Sequence, residues 1–341
     1  MSNEPIRWYF LAHLGYNMWG DPIADWEDVP SLKGGGARRV LQFDETLFFE
    51  VAEAFRRAGG DSIVLDIGEG LVYPEYPDLA PLGAYSPDAL RDVLKRVRSM
   101  GLEVIPKLNF STTHAEWMGC YRNKTSTEPY YRFCSDVIRT VCEIFEKPSL
   151  FHLGMDEEDG VCQKEKNLAL WRNGDLWWHD FDYLAECVRS NGFRPWIWSD
   201  HMWKLWDELS EKAKGPKTDR EGEFLSRMSK DVMQTNWYYR TFSPDDPHHP
   251  FLDSDERPFR VLDENGFDQI PGGSTWDLED NLVEMVSYLT PRLSPDHLCG
   301  FMQTVWHPMS EDYREKQFQA VEAFSRAKKV YDQMANKPYQ A

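Results

Sequence analysis

Long apolar runs are missing from this chain. No stretch reaches the roughly 20 residues a membrane-spanning helix needs, so a helical membrane protein is not expected. The first residues, Met1 to Arg7, also lack the basic-then-apolar form of a secretory leader. A cytoplasmic location is the expectation, and an exported protein whose leader had been removed would read the same way. Basic residues are in short supply as well: 38 Lys+Arg against 57 Asp+Glu leave a formal charge of −19. Nucleic acid and anionic membranes both select a positive footprint, so neither is an expected partner. The six cysteines (120, 134, 142, 162, 187 and 299) form no CxxC pair and no zinc spacing, and they are expected to be mostly buried free thiols. No metal and no cofactor is expected. The sequence leaves a homodimer open.

Aromatic side chains, by contrast, are abundant. They make up 14% of the chain, with 14 Trp, many of them beside polar residues. An indole offers a flat apolar face and one donor, which suits the rings of carbohydrates.

Apolar runs of strand length alternate with segments of helical period. The strand candidates span 6–13, 62–68, 103–109, 150–154, 193–200, 231–237, 266–272 and 297–306, the seventh being weakest because Pro271 and two glycines follow it. Between them, Asp44 and Ser86-Pro87 are good helix starts, and Gly59-Gly60 and Gly101 good stops. Helical spacing also recurs over 131–146, 176–189, 202–228, 278–289 and, as a closing helix, 310–334. Residues 242–263, rich in Pro, His and Asp, read as a long loop with one short helix. No composition break marks a linker. The expectation is a single (β/α)8 barrel domain over 1–341 with long βα loops, in preference to a doubly wound sheet.

The active site of such a barrel lies at the carboxyl ends of its strands. Those ends carry His13, Asp66, Asn109 with nearby His114, Asp156 and Glu157, Trp198 and Asp200, Trp237, Trp276 and Asp277, and Trp306. Acids, amides and indoles together form a sugar-binding inventory. Trp198 is expected to face the ligand and Trp196 to face away, while His152 reads as structural and Glu158 and Asp159 as solvent-facing loop acids.

The segment His152-x-Gly154-x-Asp156-Glu157, closing the fourth strand, resembles the His-x-Gly-Gly-Asp-Glu motif of β-N-acetylhexosaminidases, glycoside hydrolase family 20. The resemblance implies an exo-acting hydrolase of terminal β-linked N-acetylhexosamine. Glu157 would be the general acid/base, and Asp156 would orient the substrate's 2-acetamido group while its carbonyl oxygen attacks the anomeric carbon. It further implies His114 as a relay to the acid, Trp198 and Trp237 as walls of the acetamide pocket, and Trp306 as support for the sugar. The sequence departs from the family where Asn109 replaces an Asp, where no arginine follows His13 on the first strand, and where Pro308 replaces a Glu. Trp276 and Asp277 stand for a seventh-strand Tyr and Asp, and the family's common amino-terminal domain has no counterpart.

Three other readings use the same residues. Asp200 or Asp277 could serve as a conventional nucleophile beside Glu157, at about 5–5.5 Å. Asp66, Asp156, Glu157, Asp200 and His201 could hold a divalent ion for a sugar isomerase or hydrolase. A barrel that binds glycans without turnover is the third.

Overall fold

Alternation along the strands decides which side chains fill the barrel and which meet its helices. The structure, a computed structural model, describes residues 6–19, 38–146, 149–158, 170, 172–202 and 219–335. Among them are eight strands: β1 (Arg7–His13), β2 (Ser62–Asp66), β3 (Glu103–Lys107), β4 (Leu150–His152), β5 (Arg194–Trp198), β6 (Met233–Thr235), β7 (Gly272–Ser274) and β8 (Gly300–Thr304). The helices among the described residues are α1 (Glu45–Arg57), α2 (Pro87–Ser99), α3 (Glu128–Phe145), α4 (Gly174–Ser190), α5 (Arg220–Arg227), α6 (Asp253–Glu264), α7 (Asn281–Leu289) and α8 (Arg314–Ala335). Every strand pair is parallel, in the order β6-β5-β4-β3-β2-β1-β8-β7. The result is a nearly closed (β/α)8 barrel.

Closure falls between β6 and β7, at the weakest strand signal. Gln269 bridges singly to Gln234 and to Leu298, and Trp237 bridges to Gly272. Pro271 has no N–H to offer a ladder, so the expected strand over 266–272 is split, and its regular part begins only at Gly272. Single bonds carry the seam instead, such as Gly272 N–H to the Asn236 carbonyl (2.8 Å).

The helices begin where their caps allow. The Asp44 carboxylate accepts from Leu47 N–H and the Ser86 hydroxyl from Ala89 N–H, with Pro87 at the first helical position. Residues 242–263 hold more helix than expected. The 12-residue α6 forms despite Pro258, because acids fill its first turn and Asp255 accepts from Leu252 N–H (2.9 Å). The helical expectation over 202–228 survives as α5, while 203–218 lie outside the described residues.

Outward positions of β1 and β8 pack as rings against helices: Trp8 meets Phe301, Phe324 and Tyr331, and Phe10 meets Phe55. Inward positions fill the barrel, where Tyr9 meets Trp196 across the interior. Trp196 and Trp198 both point inward, contrary to expectation. Residues two apart on a strand share a face, and both indoles contact His152 at 4.8 Å. The five cysteines among the described residues are free, but only Cys134 and Cys142 of these are buried; Cys120 is exposed, Cys187 and Cys299 are intermediate, and Cys162 lies outside the described residues. Among the described residues no helix is long and apolar enough to cross a membrane.

Candidate active site

β4 ends at His152, but its hydrogen bonding does not. Leu153 N–H reaches the Trp196 carbonyl (2.7 Å), and Trp198 N–H reaches that of Gly154 (3.0 Å), so β5 carries the chain into a tight turn. Gly154 (φ 75°), Met155 (φ 73°) and Glu157 (φ 54°) all take left-handed backbone there. For the two non-glycine residues this conformation costs on the order of 1–3 kcal/mol each. At 154 only glycine fits, because a Cβ would lie 2.1 Å from the Asn109 amide oxygen.

Side chains from β3 and its following loop hold the strained turn. The Asn109 carboxamide accepts from Ser111 N–H (3.0 Å), which fixes its orientation and aims its NH2 at Asp156 Oδ1 (2.9 Å). An aspartate at 109 would need a proton to make that contact. The Ser111 and Thr113 hydroxyls both donate to the Asp156 carbonyl, and the His152 imidazole accepts Gly154 N–H at Nδ1 (3.0 Å). His152 therefore orients the turn, and burial followed by the charge of Lys107 drives its pKa well below the usual value.

The turn delivers Asp156 and Glu157 to a cavity of about 360 Å³, whose other walls are Trp198, Trp237, Tyr239, Trp276, Asp277 and Trp306. That size is at the low end of the roughly 300–1,000 Å³ of small-molecule sites. His114 Nε2 lies 3.1 Å from Glu157 Oε2 and 3.5 Å from Asp156 Oδ2, between the two carboxylates. Asp200 stands behind them, accepting from Glu157 N–H (3.1 Å) and from the Trp237 indole (2.7 Å). Burial first, then the charges of Asp156 and Glu157, push the Asp200 carboxyl well above the usual carboxylate range.

Of the residues expected from the strand ends, the structure thus brings Asp156, Glu157, Trp198, Trp237, Trp276, Asp277 and Trp306 to one cavity. Asn109, His114 and Asp200 contact the carboxylate pair from behind. His13 and Asp66 sit off the cavity wall. Asp66 pairs with the fully buried Lys107, and His13 Nδ1 lies 3.5 Å from Asp66 while its ring packs against Trp306. Burial raises the Asp66 pKa, but Lys107 and His13 outweigh it and the net shift is downward; burial lowers that of His13.

Glu158 departs from expectation most clearly. It is buried, not solvent-facing, and accepts from Thr112 N–H (2.6 Å) and from the buried Arg172 guanidinium (Nε at 3.2 Å). Arg172 also reaches Asp180 (3.3 Å) and the Phe110 carbonyl (2.7 Å). Asp159 lies outside the described residues. Tyr239 on the cavity wall, and Lys107, Ser111, Thr113 and Arg172 around it, were not expected. Lys107 stands two residues before Asn109 at the end of β3, so strand parity was an available signal for it, and Tyr239, beyond the end of β6, had none.

The ligand set considered for a divalent ion is not assembled. Asp66 is taken by Lys107, and His201 stacks flat on Trp177 at 3.7 Å. Among the described residues no group of three or more His, Cys, Asp or Glu could hold a metal ion.

No protein-family model and no curated protein matches the sequence. Solved structures match its fold. An exo-β-N-acetylglucosaminidase of glycoside hydrolase family 20 from Vibrio harveyi aligns with a TM-score of 0.55 at 12% identity, over 98% of this chain and 59% of its own. A pneumococcal exo-β-D-N-acetylglucosaminidase module of that family gives 0.57 at 15%, over 99% and 89%. A Streptomyces plicatus N-acetyl-β-hexosaminidase gives 0.57 at 11%, over 94% and 63%. The chain thus spans less than two thirds of the Vibrio and Streptomyces structures. The class that fold and cavity define is a (β/α)8 barrel of the kind found in family 20 glycoside hydrolases, with a carboxylate pair and indole walls at the carboxyl ends of its strands.

Proposed function

We propose that the protein is a glycoside hydrolase acting on terminal β-linked N-acetylhexosamine, and that it works by substrate assistance. One observation carries the reading: Asp156 and Glu157 share a wall of an indole-lined cavity, and His114 and Asn109 fix them from behind. Trp198, Trp237, Tyr239 and Trp306 offer the flat faces on which a pyranose and its acetamide methyl stack. Activities named for the structural neighbours favour the same substrate.

In the first step the acetamide carbonyl oxygen of the substrate attacks C1, and the C1–O bond to the leaving group breaks. Glu157 gives its proton to the departing oxygen. The acetamide nitrogen gains positive character in the resulting oxazolinium ring, and Asp156 holds that N–H and its charge. Water then attacks C1 from the face the aglycone left, Glu157 takes its proton, and the ring reopens with net retention. His114, 3.1 Å from Glu157 Oε2, is placed to steady each charge state of the acid/base.

A conventional nucleophile fits less well. Both Asp200 carboxyl oxygens are engaged, by Glu157 N–H and by the Trp237 indole, and the side chain stands behind the cavity wall. Asp277 lies at the half-exposed rim, 3.9 Å from Arg240.

Paired aryl glycosides with and without the 2-acetamido group test the mechanism. Hydrolysis of the acetamido sugar at least about 10³-fold faster, with tight competition by a thiazoline analogue of the intermediate, is expected. Comparable turnover of both, or covalent labelling by a 2-fluoro sugar, would contradict it.

A further inference from the structure

The peptide group between Asp156 and Glu157 is gripped at both ends. Its carbonyl accepts from the Ser111 and Thr113 hydroxyls on the β3 side, and its N–H donates to Asp200 Oδ2 (3.1 Å) beyond the end of β5. The grip has something to hold against. A flip of this peptide plane would carry Glu157 from φ 54° into the ordinary extended region and relieve its left-handed strain. Loss of either end lets the turn relax, and with it the 3.1 Å placement of Glu157 Oε2 against His114.

The second oxygen of Asp200 has a different partner. Oδ1 accepts the indole N–H of Trp237 (2.7 Å), whose ring lines the cavity and stacks with that of Tyr239 (4.9 Å, 28°). One side chain therefore joins the backbone of the acid/base to an aromatic wall.

Asp200 is itself firmly mounted. On one side Ser199 N–H bonds to the Thr235 carbonyl of β6 (2.9 Å), and on the other the His201 ring lies flat on Trp177 (3.7 Å, 1°). The carboxyl is buried, so both of its bonds are made away from competing water. Both partners are N–H donors, and the position thus requires two acceptor oxygens on one planar group. A carboxyl has them. The carboxamide of asparagine has one, and its NH2 would face a second N–H.

We infer that Asp200 is a positioning residue, which sets the acid/base Glu157 against the indole wall at Trp237 so that proton donation and sugar stacking meet at one place. It does so from behind, since it is not among the residues that line the cavity. The inference rests on the reading of Glu157 as the acid.

The test compares wild type, Asp200→Asn and Glu157→Gln on two N-acetyl-β-glucosaminides. One has an alkyl leaving group, which needs a proton as it departs, and the other has 2,4-dinitrophenoxide, which does not. Asp200→Asn should lose roughly 100-fold in kcat/KM on the alkyl glycoside and no more than about tenfold on the dinitrophenyl one, because only the first depends on a well-placed acid. A protein that was merely destabilised would lose both alike. Equal losses, or none, overturn the inference. Should Asp200→Asn fail to fold, Ser111→Ala loosens the other end of the same peptide and should give the same split, with equal losses again overturning it. Crystal structures of wild type and Asp200→Asn give a readout apart from turnover. The variant should show Glu157 out of the left-handed region or the Trp237 indole turned, and an unchanged turn and indole overturn the inference even where activity falls. If Glu157→Gln itself shows no split between the two glycosides, the reading of Glu157 as the acid fails, and the two crystal structures decide separately whether Asp200 holds the turn and the wall.

Discussion

Arg172 shows how one side chain organises the ground behind the site. Fully buried, it compensates Glu158 and Asp180 and caps the Phe110 carbonyl, so the turn that carries Asp156 and Glu157 is braced from the α4 side. Replacing it by Met would leave two carboxylates in the interior without that cation. A loss on the order of 3–5 kcal/mol of unfolding free energy is expected from urea titration. The exposed pair Arg189–Asp231 supplies the contrast, with Arg189→Met expected to cost below about 1 kcal/mol. A similar small change in both variants would show that the buried cluster does not brace the fold. Glu158 also marks where sequence reading stops. Four consecutive acids look like a solvated loop, and nothing local reveals a guanidinium fourteen residues on that converts one of them into a buried partner.

At the scale of elements, the segment after β1 is latched to the segment after β2 by Glu69. Its buried carboxyl accepts from Tyr16 N–H (2.7 Å) and Asn17 N–H (2.9 Å), and the Tyr16 hydroxyl donates to the Trp306 carbonyl (2.8 Å). Burial, opposed by those backbone donors, raises its pKa to about 7. The folded state therefore favours the protonated acid relative to the unfolded chain. The contribution is fully present below about pH 4.5 and is lost as pH rises through 7. Urea titrations at pH 5 and pH 8 should show wild-type stability falling by on the order of 3 kcal/mol more than that of Glu69→Gln. Parallel profiles would remove Glu69 as the cause.

The elements themselves were largely legible. Seven strands announced themselves as apolar runs because a parallel barrel buries both faces of each. β7 did not, since Gly and Pro supply its backbone and single bridges do the pairing. The cluster of Asp156, Glu157, Trp198, Trp237 and Trp306 was readable from strand ends plus one short motif. What lay beyond that reading depends on direction and distance: Trp196 facing inward, Lys107 neutralising Asp66 inside the barrel, and Asn109 turned by Ser111 to donate to Asp156.

For the whole molecule, the barrel does two things. It surrounds a layer of paired charges and rings with helices, and at its carboxyl end it closes a small acidic hollow around indole faces. The negative surface suits a neutral or cationic saccharide and disfavours polyanions.

The account turns on Glu157 as the group that protonates the leaving oxygen. Hydrolysis of an unactivated β-N-acetylhexosaminide should therefore be compared between the wild type and Glu157→Gln, with circular dichroism and the melting temperature recorded on both. The account predicts a loss of at least about 10³-fold in kcat/KM with the folded signal unchanged. Wild-type turnover by a folded Glu157→Gln protein would contradict it.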